Sequence, residues 1–150
     1  MIEFTIPGEP VSQGRPRAGK IQRGPKSGKT VLYDPKESKD YKRYVSIIAR
    51  QHAPKIPLEG PLSMRIEIYR NIPKSTTKKD RALISEGIKR PITKPDNTNY
   101  AKGIEDALNG IIYKDDSQIV DLQIQKYYSD DPRVEVRVQE IDVFGEVGIS

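Results

Sequence analysis

The sequence predicts an α+β fold, in which a small mixed β-sheet is covered on one face by two main helices. Four segments alternate apolar and polar residues, which is the period of a strand with one buried face. Two longer segments repeat apolar residues every three or four positions, which is the period of an amphipathic helix. The order strand, helix, strand, short helix, helix, strand, strand brings both kinds of element around one core.

The first part of the chain is predicted to contain one strand, a long basic segment and one main helix. Apolar and polar residues alternate over 2–6, which predicts a strand. Residues 8–29 are rich in Gly, Pro, Lys and Arg, so we expect a flexible basic loop or arm there. A short strand is expected over 30–33. Apolar residues at helical spacing then predict the first main helix over 38–52.

The rest of the chain is predicted to add a strand, a short surface helix, the second main helix and two more strands, at 62–72, 77–87, 97–109, 119–127 and 133–141. Gly110 follows the last residue of the second main helix and is suited to stop it. Because only a short polar segment separates the last two strands, we expect them to form a hairpin.

Composition restricts the chemistry of any site. The chain has 150 residues, which suits one domain spanning residues 1–150. It has no cysteine and one histidine, His52, which excludes disulfides, thiolate zinc sites, a cysteine nucleophile and any site with two imidazoles. Any metal is then held mainly by oxygen, which favours Mg²⁺, Mn²⁺ or Ca²⁺. Neither a secretory segment nor a stretch of ~20 apolar residues is found, so we expect a soluble, cytoplasmic protein without a membrane partner.

Charge is unevenly distributed along the chain, whose formal net charge is +5. The basic residues between positions 13 and 43 are Arg15, Arg17, Lys20, Arg23, Lys26, Lys29, Lys36, Lys39, Lys42 and Arg43. Only Asp34, Glu37 and Asp40 oppose them there, whereas acidic residues gather between positions 105 and 131. A basic first third and an acidic later part suit a protein that binds both a polyanion and a cation. Charge alone leaves a solvated basic surface as an equal alternative.

Residues 94–102, KPDNTNYAK, combine a helix start with polar side chains suited to metal and phosphate chemistry. Pro95 keeps Lys94 out of the helical region, which places Asp96 just before the helix begins. A carboxylate at this position can be a metal ligand, or it can serve only to cap the free N–H groups of the helix. The local sequence leaves both interpretations open.

Two further groups of polar residues have the same ambiguity. Asn99, Lys102 and Asp106 share one flank of the predicted helix, where Lys102 can point toward a metal-bound phosphate or form an ordinary ion pair with Asp106. Asp115 and Asp116 follow a short apolar run and suit either a surface turn or a site for a hard cation.

The chain resembles the RusA-type Holliday-junction resolvases, which are crossover junction endodeoxyribonucleases, in the stretch KPDNTNYAKGIEDALNGIIYKDDSQIVD. The signature of that family is K-P-D-x-D-N-x-x-K, followed by D-A-L-N-G and then D-D-x-Q-V. IPGEPVSQGRPR and the later YDPK are similar to the N-terminal part of phage and prophage members. The resemblance covers most of the chain, and residues 74–90 match least. It implies a single RusA-like nuclease domain with the predicted α+β fold.

The resemblance implies a catalytic site and its ligands. The family binds Mg²⁺ through aspartates, with Mn²⁺ as the other candidate ion, and it has an essential lysine. The implied catalytic residues are Asp96, Lys102 and Asp116. The implied metal ligands are Asp96, Asp116 and the neighbouring Asp115, and Asn99 matches the signature asparagine, which we expect to contact DNA. The resemblance further implies a homodimer that nicks a four-way DNA junction symmetrically.

One position departs from the signature, because its second aspartate falls on Thr98. A threonine hydroxyl is neutral and binds Mg²⁺ more weakly than a carboxylate. Three outcomes are open: the site works with fewer charges, activity is reduced, or another carboxylate substitutes. The candidates for that substitution are Asp106, which falls on the D of D-A-L, together with Asp115 and Asp121.

These expectations combine into a mechanism. A bound Mg²⁺ lowers the pKa of a water molecule and neutralises the scissile phosphate, and Lys102 stabilises charge on the phosphate oxygens. The residues expected to grip DNA phosphates are Arg15, Arg17, Lys20 and Arg23. A symmetric dimer would place one site on each of two opposed strands.

Three other functions remain open from the sequence. The first is a non-catalytic or weakly catalytic protein that binds branched DNA, with a site impaired by Thr98. The second is a nuclease of the same chemistry that acts on flaps or replication forks. A structural scaffold is the third, and it leaves the combination of carboxylates and lysine unexplained.

Overall fold

The computed structural model describes residues 1–14, 17–20, 24, 28–33 and 35–141 of the chain. The strands are β1 (Ile2–Pro7), β2 (Arg17–Lys20), β3 (Thr30–Tyr33), β4 (Leu62–Asn71), β5 (Ile119–Ser129) and β6 (Arg133–Glu140). The helices are α1 (Lys36–Gln51), α2 (Lys78–Ser85) and α3 (Asn97–Leu108), and one 3-10 turn, Asp116–Gln118, precedes β5. No helix in these ranges is long and apolar enough to cross a membrane.

The main sheet has four strands in the order β1-β6-β4-β5. β6 pairs antiparallel with both β1 and β4, whereas β4 and β5 run parallel. A second, two-stranded sheet is formed by β2 and β3. The predicted α+β fold with a mixed sheet is therefore confirmed.

The predicted hairpin of the last two strands is wrong, because β4 lies between β5 and β6. β4 is the strand with the most regular burial: Leu62, Met64, Ile66 and Ile68 are at most 1% exposed. Its apolar side chains therefore favour a central place in the sheet. The connection from Ser129 to Arg133 has four Cα steps, which span up to about 14 Å. That length is enough to cross two strand spacings of roughly 4.8 Å each.

The core lies between one face of the main sheet and the two long helices. The buried residues of α1 are Ser38, Tyr41, Val45 and Ala49, and those of α3 are Tyr100, Ala101, Gly103, Ile104, Ala107 and Leu108. Their apolar members join the inward-facing residues of β1, β4 and β6 in one cluster. On the other face of β4 the side chains are only half-buried. The prediction of two main helices on one face of the sheet is confirmed.

The segment predicted as a flexible arm, residues 8–29, contains ordered structure. Residues 17–20 form β2, in which Ala18 faces Leu32 of β3. Closer to the N-terminus, the Gln13 N–H donates to the Asn99 carbonyl at 2.8 Å, and the Gly14 N–H donates to the Ser38 hydroxyl at 2.8 Å. These contacts tie the segment to both long helices. They join residues far apart in the chain, so local composition carries no signal of them.

Candidate active site

The first turn of α3 presents Asp96 to solvent. Asp96 occupies the N-cap position with an extended backbone, but its carboxylate makes no capping hydrogen bond. Only its backbone carbonyl serves the helix, by accepting from the N–H groups of Asn99 and Tyr100. The preceding Lys94–Pro95 peptide bond is cis. The alternative in which Asp96 serves only as a side-chain cap is therefore not what the structure contains.

The side of α3 opposite its buried face forms an exposed ridge. Thr98 and Lys102 are exposed, and Glu105 and Asp106 are partly exposed one turn further along. Of the two alternatives for Lys102, the ion pair with Asp106 is replaced by a contact between helices, since the Lys42 ammonium of α1 lies 3.6 Å from the Asp106 carboxylate. Lys102 is thereby left facing solvent in the middle of the ridge.

The loop after α3 returns along the helix, and a hydrogen bond from Tyr113 holds it there. This side chain is fully buried, and its hydroxyl donates to the Glu105 carbonyl at 2.7 Å. At the start of the loop, Gly110 has a φ of 74°, which glycine adopts readily, and its N–H donates to the Tyr113 carbonyl at 2.7 Å. At the end of the loop, Gln118 donates to the carbonyls of Leu58 and Gly60 at 2.9 and 3.1 Å. The loop is therefore fixed at both ends.

This anchoring brings Asp116 beside the acidic end of the ridge, where Glu105, Asp106 and Asp116 form what we call the carboxylate cluster. Partial burial and then the charges of Asp115 and Asp106 raise the pKa of Asp116 above its ordinary value. Burial and then the charges of Asp116 and Asp106 raise the pKa of Glu105, and Lys102 acts in the opposite direction. The cluster is thus a site of concentrated negative charge, and Lys102 is close enough to act on it.

The two aspartates of the Asp115–Asp116 pair have different surroundings. Asp115 caps the 3-10 turn: the Ser117 N–H donates to its carboxylate at 3.0 Å, and its own N–H donates to the Gln118 side chain at 2.9 Å. The hydrogen bonds from Ser117 hold the pKa of Asp115 below its ordinary value. Asp115 therefore has a structural partner in the turn, whereas Asp116 faces the carboxylates of α3.

The predicted site residues fall in several places. Lys102, Asp116 and Asp115 lie at or next to the carboxylate cluster. Asp96 lies at the N-terminal end of α3, ten positions before Asp106, which corresponds to about 15 Å of helix. Asn99 is exposed, and its carbonyl is bound by Gln13.

The predicted DNA-gripping residues lie in the N-terminal segment. Lys20 is exposed on β2, and Arg17 lies on the same strand. Arg15 and Arg23 lie outside the described residues.

Comparison with known proteins places the chain in a family. The profile of endodeoxyribonuclease RusA matches residues 7–139. The chain belongs to the RusA endodeoxyribonuclease family. A protein of Bacillus subtilis (strain 168), described as uncharacterized protein YqaN, is 51% identical over 142 residues, which cover 93% of this chain and 96% of that protein. The RusA resemblance of the KPDNTNYAK and DALNG stretches is confirmed by this match.

Glu105 is a candidate site residue that the sequence did not single out. It follows Lys102 by three positions, so the two side chains share one side of a helix. That spacing was the available signal, but it is equally typical of an ordinary solvent-exposed ion pair. Only the approach of Asp116 distinguishes the two interpretations.

The donor set of the carboxylate cluster fits a magnesium ion. Mg²⁺ usually keeps several water ligands and is bound through one or two carboxylates together with substrate phosphates. In addition to burial, the charge of Asp106 raises the pKa of Asp116, and the charges of both raise the pKa of Glu105, so the three carboxylates lie near one another. Among the described residues, no three carboxylate or imidazole side chains converge closely enough to hold an ion by themselves. Two adjacent carboxylates, completed by water and a DNA phosphate, match the preference of Mg²⁺.

Proposed function

We propose that the protein is a Mg²⁺-dependent endonuclease that resolves four-way DNA junctions by paired nicks in a homodimer. The observation that carries the proposal is the ridge of α3, where Lys102 stands beside the carboxylate cluster in a chain that the RusA family matches over residues 7–139. A cation site next to an exposed lysine suits the hydrolysis of a phosphodiester, because charge builds up on the phosphate oxygens in the transition state.

Each residue of the ridge has a role in this proposal. Asp106 and Asp116 would hold the metal, with Glu105 beside them, and Lys42 would keep the Asp106 carboxylate in place from α1. When bound, Mg²⁺ lowers the pKa of a water molecule and neutralises the scissile phosphate. Lys102 stabilises the negative charge of the transition state and is not consumed in the reaction.

Asp96 lies apart from the carboxylate cluster, because about 15 Å of helix separates it from Asp106. One ion cannot touch carboxylates that far apart. We therefore assign the ion to the carboxylate cluster and keep Asp96 as a second catalytic carboxylate at the N-terminal end of α3. Thr98 and Asn99 lie between them and face the substrate.

The test is cleavage of a synthetic four-way junction, a flap and a linear duplex, each with and without Mg²⁺. We expect paired nicks in the junction only with Mg²⁺. Asp116→Asn should lower the rate by about a hundredfold or more while leaving junction binding near normal, because its charge serves the metal. Asp131→Asn removes an exposed aspartate from the β5–β6 turn and serves as the matched control.

Different outcomes separate the proposal from its alternatives. Faster cleavage of the flap would assign the same chemistry to another substrate. Binding of the junction without cleavage would indicate a non-catalytic protein. Full cleavage by both Asp116→Asn and Asp96→Asn would remove these carboxylates from the mechanism. Sedimentation of the chain with and without the junction tests the homodimer.

A further inference from the structure

The outer face of α1 has a row of positive charges. Lys36, Lys39, Arg43 and Arg50 are all exposed, and their spacing places them on one side of the helix, which we call the α1 stripe. Ile47, which is 51% exposed, lies among them. The residues that face the core, among them Tyr41 and Val45, lie on the opposite side. Asp40 borders the stripe on the side away from α3.

The charges of the stripe are not neutralised by the protein itself. Within the described ranges, none of its four cations forms an ion pair, whereas many other surface cations do. Lys42 differs from them, because it lies nearer α3 and its ammonium is 3.6 Å from the Asp106 carboxylate. Asp40 lies four positions after Lys36 and three before Arg43, which is the spacing of helical ion pairs, but within the described ranges it forms no ion pair with either.

The stripe lies next to the carboxylate cluster. α1 packs along α3, and the contact of Lys42 with Asp106 is joined by one from the Ser46 hydroxyl to the Ala107 carbonyl, at 3.5 Å. A cluster of negative charge repels the DNA backbone, and this repulsion must be offset by cations close by. The α1 stripe supplies such cations, because it lies on the helix that packs beside the cluster.

We infer that the α1 stripe binds the sugar-phosphate backbone of one duplex arm and holds it against the carboxylate cluster. This inference rests on the proposed function, since it assigns a DNA-binding surface to the same site. From Lys36 to Arg50 the helix rises about 21 Å, at 1.5 Å for each residue. This length corresponds to about six base-pair steps of 3.4 Å. Contacts of this kind position the duplex without reading its sequence.

The first test measures how binding to a synthetic linear duplex depends on salt, with EDTA present so that no cleavage occurs. Each lost phosphate contact lowers the slope of log affinity against log salt by about 0.9. Replacement of Lys39, Arg43 and Arg50 by Gln should therefore lower the slope by about 2 to 3. The matched control replaces Lys74, Lys78 and Lys79 by Gln, which removes the same charge from exposed positions in and before α2. The control should keep the wild-type slope.

The second test adds a charge instead of removing one. Ile47→Glu places a carboxylate within the stripe at a position that is already 51% exposed, so the fold should be preserved. We expect it to weaken duplex binding several-fold at low salt. Ile88→Glu makes the same substitution at a residue that is 65% exposed beyond α2, and it should bind like the wild type.

The two proposals fail in different ways. A wild-type protein that binds duplex but never cuts a junction with Mg²⁺ would overturn the proposed function. The inference that the α1 stripe binds DNA would be unaffected. Stripe variants that keep the wild-type salt slope would overturn the inference that the α1 stripe binds DNA, even if the wild type cuts junctions. An equal loss in the stripe variants and in both controls would show that only net charge matters, and it would also overturn the stripe.

Discussion

At the scale of single residues, the informative position is Thr98. The RusA signature has an aspartate where this chain has a neutral hydroxyl, so the ridge of α3 lacks one carboxylate. Glu105 lies seven positions later, which returns to the same side of the helix two turns further on. Its pKa is raised by burial and by the charges of Asp116 and Asp106, which shows that it belongs electrostatically to the cluster. Glu105 is therefore our candidate for the substituting carboxylate.

The first prediction follows from this role. Glu105→Gln removes one negative charge from a site for a hard cation, and the number of charged ligands is a main determinant of such affinity. We expect the Mg²⁺ concentration for half-maximal cleavage to rise on the order of tenfold. Glu86→Gln, at an exposed position after α2, serves as the control. An unchanged Mg²⁺ requirement in Glu105→Gln would exclude Glu105 from the ion.

The second prediction restores the signature residue. Thr98→Asp adds a carboxylate to the ridge on the side that carries Lys102. If this position contributes to the ion, the Mg²⁺ concentration for half-maximal cleavage should fall. A lower maximal rate would instead indicate that Glu105 already provides the required charge and that a further one repels it. The double variant that combines Thr98→Asp with Glu105→Gln distinguishes the two results. If Glu105 takes the place of the missing signature aspartate, the double variant should recover activity.

At the scale of elements, the loop between α3 and β5 determines where Asp116 lies. Its position depends on the hydrogen bond that the buried Tyr113 hydroxyl donates to the Glu105 carbonyl at 2.7 Å. Burial, followed by the charges of Glu105 and Asp116, raises the pKa of Tyr113, so the phenol stays protonated and remains a donor. A residue of the core thus positions a residue of the site.

The third prediction tests this link. Tyr113→Phe should lower the free energy of unfolding by about 1 kcal/mol, because one buried hydrogen bond is lost. It should also lower kcat, with little change in DNA affinity, since Asp116 is held less firmly. Tyr44→Phe is the matched control, because its hydroxyl also donates to a backbone carbonyl, that of Pro7, at 2.8 Å. Because the hydrogen bond of Tyr44 is exposed, the control should lose less stability, and it should keep kcat; an equal loss of kcat in both variants would contradict the link.

At the scale of the whole molecule, the carboxylate cluster opposes folding at neutral pH. The pKa values of Asp116 and Glu105 are raised in the folded protein, so the folded state binds protons more readily than the unfolded chain. The stabilisation linked to these groups is therefore present below their ordinary pKa values and is lost as the pH rises through the raised ones. Like charges held together for binding a cation commonly lower stability in this way.

The fourth prediction uses this linkage. In the absence of Mg²⁺, Asp116→Asn should raise the melting temperature at pH 7, and the difference should shrink at pH 3, where Asp116 is mostly protonated in the wild type. Added Mg²⁺ should stabilise the wild type, because it binds the folded state, and the variant should gain less. Calorimetry with and without Mg²⁺ measures both effects. A variant that melts below the wild type at pH 7 would contradict the repulsion.

The fold was largely predictable where its signal is local. The alternation over 62–72 predicted β4, whose Leu62, Met64, Ile66 and Ile68 are buried, and the helical spacing over 97–109 predicted α3, whose Tyr100, Ile104 and Leu108 are buried. The predicted ends of both elements lie within about a residue of those observed, which is within the usual scatter of helix and strand ends. The insertion of β4 between β5 and β6 was not predictable, because a short polar connection can join two paired strands or pass over one strand that lies between them.

The sequence by itself determined the periodicity of the main helices and of the strands of the main sheet, and membership in the RusA family, because both are properties of contiguous residues. The tertiary structure decided which charges meet. Asp116 reaches Asp106 and Glu105 because Tyr113 and Gln118 hold the loop after α3 in place, and Lys42 reaches Asp106 because α1 packs beside that helix. Electrostatic interaction falls with distance through space and not along the chain, so the carboxylate cluster and the α1 stripe exist only in the folded protein.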